Sequence, residues 1–431
     1  MGRLLYKTGK WAMILLYRLM YILLPVKKNR IVFCSGAGKS YAGNPRAVYE
    51  YMVEHGMDGT WDCIWFYEKT RYAIPGICRQ VQLKRLKYLL YMATARVWIF
   101  DARQPQFIRK RKNTLYIQTW HGTPLKKLAL DMDDVFMSGE DSIEKYKKNF
   151  AENVKTWDCL VSQNAFSSEI FYRAFAFRGT MLEIGYPRND VLFKKNNERD
   201  IRQLKERLGL PKDKKILLYA PTWRDDEFTG ANGYRFLPAL SFDELWGRIG
   251  KEYILIVKYH YLIMDAVDWS GYEGFIYTFD QSRDIAELYL VADALITDYS
   301  SVMFDYSILG RPMYFFAYDL EKYRDTLRGF YFDFEREAPG PISRTTGQLA
   351  EDILAGRRED YEERYAAFRE KYNSRDNGTA CQKICGLVTD FIERGNGYGN
   401  NSELYGRPYE AAARRICEPE GQYGERRRDD V

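Results

Sequence analysis

The sequence predicts an α/β protein made of two doubly wound, parallel-sheet domains that face each other across a cleft. Three observations carry this expectation. At 431 residues the chain is long enough for two sizeable cores. From Arg30 onward, short β-branched and aromatic runs alternate with stretches long enough to hold helices. Those runs are mostly apolar on both faces, as strands are when helices cover a parallel sheet on each side.

The first series of strands is expected at 31–34, 63–67, 97–100, 115–119 and 159–162. The second is expected at 216–219, 254–258, 275–279, 294–297 and 313–316. One connecting helix reads in detail: Asn44 caps it, Pro45 takes its first position and Gly56 ends it. The polar stretch 194–215 carries a helix between the halves, which gives domains at 30–195 and 196–393. Residues 394–431 are rich in Gly, Asn, Glu and Arg and are read as a disordered tail.

Residues 1–29 form a separate segment. The apolar run 11–26 is shorter than the roughly 20 residues a membrane span needs, and Arg18 sits in its middle. It offers no small-residue cleavage site of the kind a signal peptide has. At about 100° per residue, Arg3, Lys7, Lys10 and Arg18 share one stripe of a helix whose other surface is Leu, Ile, Met, Trp and Tyr. A helix of this kind lies in a membrane interface with its cations toward lipid phosphate; the alternative is a helix docked on the protein's own core. The positive charge here is marked, since the first acidic residue is Glu50. Elsewhere the +6 net charge is diffuse and no nucleic-acid-binding pattern is present. Seven scattered cysteines give neither a zinc site nor a disulfide framework, and point to a reducing compartment.

In doubly wound folds ligands sit at the carboxyl ends of strands, so polar residues there are the candidates. Strand 115–119 runs into Trp120-His121-Gly122-Thr123-Pro124, which puts His121 beside a flexible glycine as a general base for a substrate hydroxyl. Strand 254–258 ends in Lys258-Tyr259-His260, where alternation points Lys258 and His260 to one face, as a phosphate clamp requires. A loop histidine bonded to backbone and a solvated lysine are the plain alternatives. The run Thr297-Asp298-Tyr299-Ser300-Ser301 joins a strand to a helix extending to Gly310. Its free N–H groups and hydroxyls suit an anion, and Asp298 and Asp305 suit a ribose, a glycerol hydroxyl or a cation. Thr222 and Arg224 leave strand 216–219 with a hydroxyl and a guanidinium suited to phosphate. Arg188 lies in a turn, Gly185–Asp190. Two other signals are set aside. Ser35-Gly36-Ala37-Gly38-Lys39-Ser40 looks like a P-loop, yet the first glycine of GxxxxGK[ST] falls at Phe33. Asp131-Met132-Asp133-Asp134 has no strand before it to fix a metal site.

Taken together, QTWHGTPLK (118–126), GYPRND (185–190), YAPTWRD (219–225), ITDYSSVMFDY (296–306) and GFYFDF (329–334) resemble the CDP-glycerol glycerophosphotransferase family of teichoic acid primases and polymerases. One departure is that His260 is followed by Tyr261 where the family has proline. The resemblance implies a GT-B architecture, an acceptor-side first domain and a CDP-donor-side second domain. It implies transfer of glycerol phosphate from CDP-glycerol to a lipid-linked or polymeric glycan acceptor, with release of CMP, by a peripheral protein at the cytoplasmic face of the bacterial membrane. His121 resembles the family's base. His260, Thr222, Arg224, Thr297, Ser300 and Ser301 resemble its donor-phosphate contacts, and Asp305 a glycerol or base contact. No resident metal or cofactor is implied, with Mg2+ left open. CDP-ribitol as donor and a nucleotide-sugar glycosyltransferase of the same fold are the alternatives.

Overall fold

The computed structural model describes residues 2–133, 142–222, 239–259, 268–280, 283–323, 329–356 and 359–394. It holds two all-parallel sheets. The first contains β1 (Lys27–Cys34), β2 (Asp62–Tyr67), β3 (Arg79–Gln82), β4 (Ala95–Phe100), β5 (Leu115–Gln118), β6 (Cys159–Ser162) and β7 (Thr180–Glu183), in the order β3-β2-β1-β4-β5-β6-β7. The second contains β8 (Lys215–Tyr219), β9 (Tyr253–Val257), β10 (Ile276–Thr278), β11 (Ala294–Thr297), β12 (Met313–Phe316) and β13 (Ile342–Ser343), in the order β10-β9-β8-β11-β12-β13. Both orders reverse direction once, between β1 and β4 and between β8 and β11, the switch points at which doubly wound sheets bind ligands.

Each run expected as a strand carries one. The strands not expected are β3, β7 and β13, and all are sheet edges. Their sequences, RQVQ, TMLE and IS, are only partly buried. An edge strand covered on one side has no continuous apolar run to show. Central β4 and β5 are buried at every position.

Alternate side chains of the first sheet feed two cores. Val32, Ile64, Trp98 and Tyr116 pack on one face, and Ile31, Trp65, Val97 and Ile117 on the other. The second face is closed by the helix Ala380–Arg394 through Ile384, Cys385, Val388 and Phe391. The chain therefore returns at its end to the first sheet, and a division at 196 by chain order does not describe this helix. Burying each of those large apolar side chains contributes about 1.5–3 kcal/mol.

The helix Gly2–Leu23 docks along one stripe. Tyr17 is buried and donates its hydroxyl to the Arg109 carbonyl at 2.6 Å, while Met13, Leu16, Met20 and Tyr21 pack beside it. Its other stripe exposes Trp11, Leu15, Leu19, Ile22 and Leu23. Among the described residues no helix is long and apolar enough to cross a membrane. The side chains of Arg3, Lys7 and Lys10 and the tail from residue 395 lie outside the described residues.

Candidate active site

The carboxyl ends of β5, β8, β9 and β11 open on one cleft of about 460 Å3 between the two sheets. It is walled by His121, Gly122, Thr222, Lys258, Ser300 and Ser301, among others. His121 reaches it on a loop held in an unusual shape. Trp120 has φ 52°, a left-handed conformation rare for a bulky residue. Three things hold it there. The Asn44 side-chain amide donates to the carbonyls of Thr119 and Trp120, both at 3.0 Å. The indole packs against Phe171 and Phe175, and it stacks on the His121 ring at 4.2 Å.

His121 Nδ1 lies 3.1 Å from the Asp101 carbonyl oxygen. A carbonyl only accepts, so the ring proton sits on Nδ1, and Nε2 keeps its lone pair. Neighbouring protein surrounds much of the ring, although the residue as a whole is exposed to the cleft. This burial lowers its pKa below the ordinary histidine value; the Asp101 carbonyl works in the opposite direction, and the Arg188 charge adds to the lowering. At neutral pH the imidazole is thus an unprotonated acceptor.

Opposite stands the start of the helix Val302–Tyr306. Ser301 occupies its cap position without a side-chain cap bond. The two halves meet closely here, since a Cβ on Gly122 would lie 3.0 Å from Ser301 Oγ. A glycine at 122 is what lets the histidine loop approach the serine turn. On the donor side, the Thr222 N–H donates to Asp298 Oδ1 at 2.8 Å, which fixes the turn after β8. Lys258 borders the cleft with its pKa lowered, chiefly by burial.

Several of the expected site residues do not line the cleft. Thr297 is fully buried and its hydroxyl donates to the Ala220 carbonyl at 2.7 Å, so it braces β11 to β8. Asp298 is buried beneath the turn it fixes. Asp305 has both oxygens engaged: Oδ2 accepts from Arg188 Nη2 at 2.5 Å and Oδ1 from the Asn189 amide at 2.9 Å. Arg188 in turn donates through Nη1 to the His121 carbonyl at 2.6 Å. The pair ties the histidine loop to the second domain. Asn44 does not cap its helix, Gly43–Glu54, which begins after Ala42. Its side chain serves the Trp120 loop, and its Oδ1 accepts from the Arg188 N–H at 3.1 Å. Asp131 accepts from Arg173 and Tyr331, and Asp133 from Lys127, so both are occupied by protein partners. His260 and Arg224 lie outside the described residues.

Residues 15–390 match the CDP-glycerol:poly(glycerophosphate) glycerophosphotransferases. The chain belongs to that family. Among curated relatives, the teichoic acid poly(glycerol phosphate) polymerase of Bacillus subtilis (strain 168) is 45% identical over 393 residues, covering 90% of this chain and 51% of that one. The polymerase of the same description from Bacillus spizizenii (strain W23) is 45% identical over 364 residues, covering 84% and 92%. The chain thus spans about half of the first relative and nearly all of the second. A solved structure of the wall teichoic acid polymerase TagF superposes with a TM-score of 0.84 at 41% identity, covering 91% of this chain and 95% of that one. This glycerophosphotransferase fold is GT-B-like.

Sequence reasoning missed two residues of this family member's site. Asp101 ends β4 and its carboxylate accepts from the Ser35 hydroxyl at 2.7 Å and the Gly36 N–H at 2.9 Å. Burial still pushes it up to about 6. Its signal was a carboxylate directly after an apolar strand. Asn44 gave a signal identical to that of a helix cap.

Proposed function

We propose that this chain transfers glycerol phosphate from CDP-glycerol to a hydroxyl of a membrane-linked teichoic acid acceptor and releases CMP. The observation that carries the reading is His121, its Nδ1 held by the Asp101 carbonyl, lining one cleft with the serine turn and Lys258. The acceptor hydroxyl oxygen attacks the phosphorus that bears the glycerol. A P–O bond forms, the P–O bond to the CMP phosphate breaks, and the electron pair leaves with CMP. His121 Nε2 takes the hydroxyl proton as the oxygen closes on phosphorus. Lys258, the hydroxyls of Ser300 and Ser301 and the first-turn N–H groups stabilise charge on the diphosphate oxygens. His260, Arg224 and Thr222 are assigned to the same donor phosphates. Positioning and electrostatics suffice, so no covalent enzyme intermediate forms.

The similarity to poly(glycerol phosphate) polymerases supports the donor and the polymer. A further structure of TagF, a variant soaked with CDPG, is 42% identical with a TM-score of 0.82. A membrane-linked acceptor is supported by the exposed apolar stripe of the helix Gly2–Leu23, which would seat the protein peripherally on a lipid surface with Arg18 at the phosphates. The test is product analysis. The purified chain with CDP-glycerol and a lipid-linked acceptor releases one CMP per glycerol phosphate added. Turnover of UDP-sugars with no CMP from CDP-glycerol would replace the reading with a glycosyltransferase.

A further inference from the structure

A second cavity, of about 570 Å3, lies at the switch point of the first sheet, where β1 and β4 diverge. Its walls come from the ends of β1, β3 and β4 and from the helix Ile143–Val154. Lys39, Lys84 and Arg103 line it against the single carboxylate of Glu68. Lys39 belongs to the Gly-Ala-Gly-Lys loop that fails the P-loop pattern. Arg103 is held by ring faces, 5.2 Å over Tyr146 and 4.8 Å over Phe150. Among the described residues no carboxylate pairs with Lys84 or Arg103. Asn153 is 8% exposed, donates to the Gln104 carbonyl at 2.7 Å and leaves Oδ1 without a donor.

Position relates the cavity to the chemistry. Asp101 links the two: its carbonyl holds His121 Nδ1, its carboxylate holds the start of the Ser35–Ser40 loop, and the next residues, Ala102 and Arg103, line the cavity. On the far side the segment 104–109 leads to the helix Gly2–Leu23, where Tyr17 meets Phe107 and Arg109. One end of the cavity wall thus runs by sequence to the histidine support and the other to the docked face of the N-terminal helix.

Resting on the transferase reading above, we propose that this cavity binds the acceptor behind its reacting hydroxyl, as a phosphodiester flanked by polyol hydroxyls. The cations take the phosphate oxygens, and the side-chain amides lining the wall, Gln104, Gln106 and Asn149, meet the hydroxyls. Two sources share this chemistry: the growing glycerol-phosphate polymer and the diphosphate–sugar stem of a lipid-linked acceptor.

The experiment uses the full chain and its double variant Lys84→Gln/Arg103→Gln. Binding of a synthetic, water-soluble three-unit glycerol-phosphate oligomer is titrated directly. Acceptor KM is measured for that oligomer and for a lipid-linked disaccharide diphosphate. The CDP-glycerol Kd, measured alone, reports an intact fold and stays within about twofold of wild type. The expected result is a Kd and KM for the oligomer raised about tenfold or more, since a hydrogen bond to a charged group contributes about 1.5–3 kcal/mol. A rise confined to the lipid-linked acceptor assigns the cavity to the stem. Unchanged values for both acceptors overturn the proposal. If the wild type binds the oligomer and the variant does not, while neither releases CMP, the cavity stands and the transferase reading falls.

Discussion

The Arg188–Asp305 pair makes a quantitative prediction. The guanidinium is 15% exposed and the carboxylate 4%, 2.5 Å apart, with Arg188 on the segment after β7 and Asp305 on the helix after β11. Asp305→Ala leaves a nearly buried cation without its counter-charge and strips the Asn189 amide of an acceptor. Breaking a buried pair on one side costs about 3–5 kcal/mol. The same change frees the guanidinium that holds the His121 carbonyl, and a base displaced by about 1 Å loses about 100-fold in rate. Urea unfolding followed by tryptophan fluorescence measures the first effect, and CMP release at low urea the second. The double variant Arg188→Met/Asp305→Leu separates them. An apolar pair packs without the desolvation penalty, so stability returns to within about 2 kcal/mol of wild type. The rate stays low because nothing grips the loop. An Asp305→Ala protein within about 1 kcal/mol of wild type and fully active would refute the tie between the domains.

Three other outcomes are expected. The folded pKa of His121 is depressed, so its neutral form persists above that value and the acid limb of kcat/KM falls below the ordinary histidine range near 6.5; a limb centred above 7 would contradict the assignment. Gly122→Ala places a methyl 3.0 Å from Ser301 Oγ, which lowers kcat about tenfold or more, and adding Ser301→Ala recovers part of it. Asn44→Ala removes the donor to the Thr119 carbonyl and the acceptor for the Arg188 N–H and leaves the Trp120 carbonyl only the Thr119 hydroxyl at 3.4 Å, costing about 2–3 kcal/mol in thermal unfolding, whereas a helix-cap role would cost about 1.

Much of this was legible because parallel strands are written as continuous apolar runs. The sequences of β4, β5, β8 and β11 announce themselves, and the loops after β5, β8 and β11 border the cleft. His121 was found in this way. Other features are not written locally. The edge strands β3, β7 and β13 lack apolar runs because one side has no neighbour. Thr297, Asp298 and Asp305 carry the residue types of a binding site, but one helical turn or one strand step moves a side chain from cleft to interior. Only packing shows that Thr297 faces Ala220 and that Asp305 faces Arg188. The return of the helix Ala380–Arg394 to the first sheet is a long-range contact with Arg96 and its neighbours, and an amphipathic pattern does not name its partner.

The most direct test of the account is the single-turnover rate of CMP release for His121→Ala beside wild type, at saturating CDP-glycerol and a fixed lipid-linked acceptor. Loss of a positioned general base predicts a fall of about 100- to 10,000-fold with donor affinity retained. A His121→Ala rate within a few-fold of wild type would contradict it.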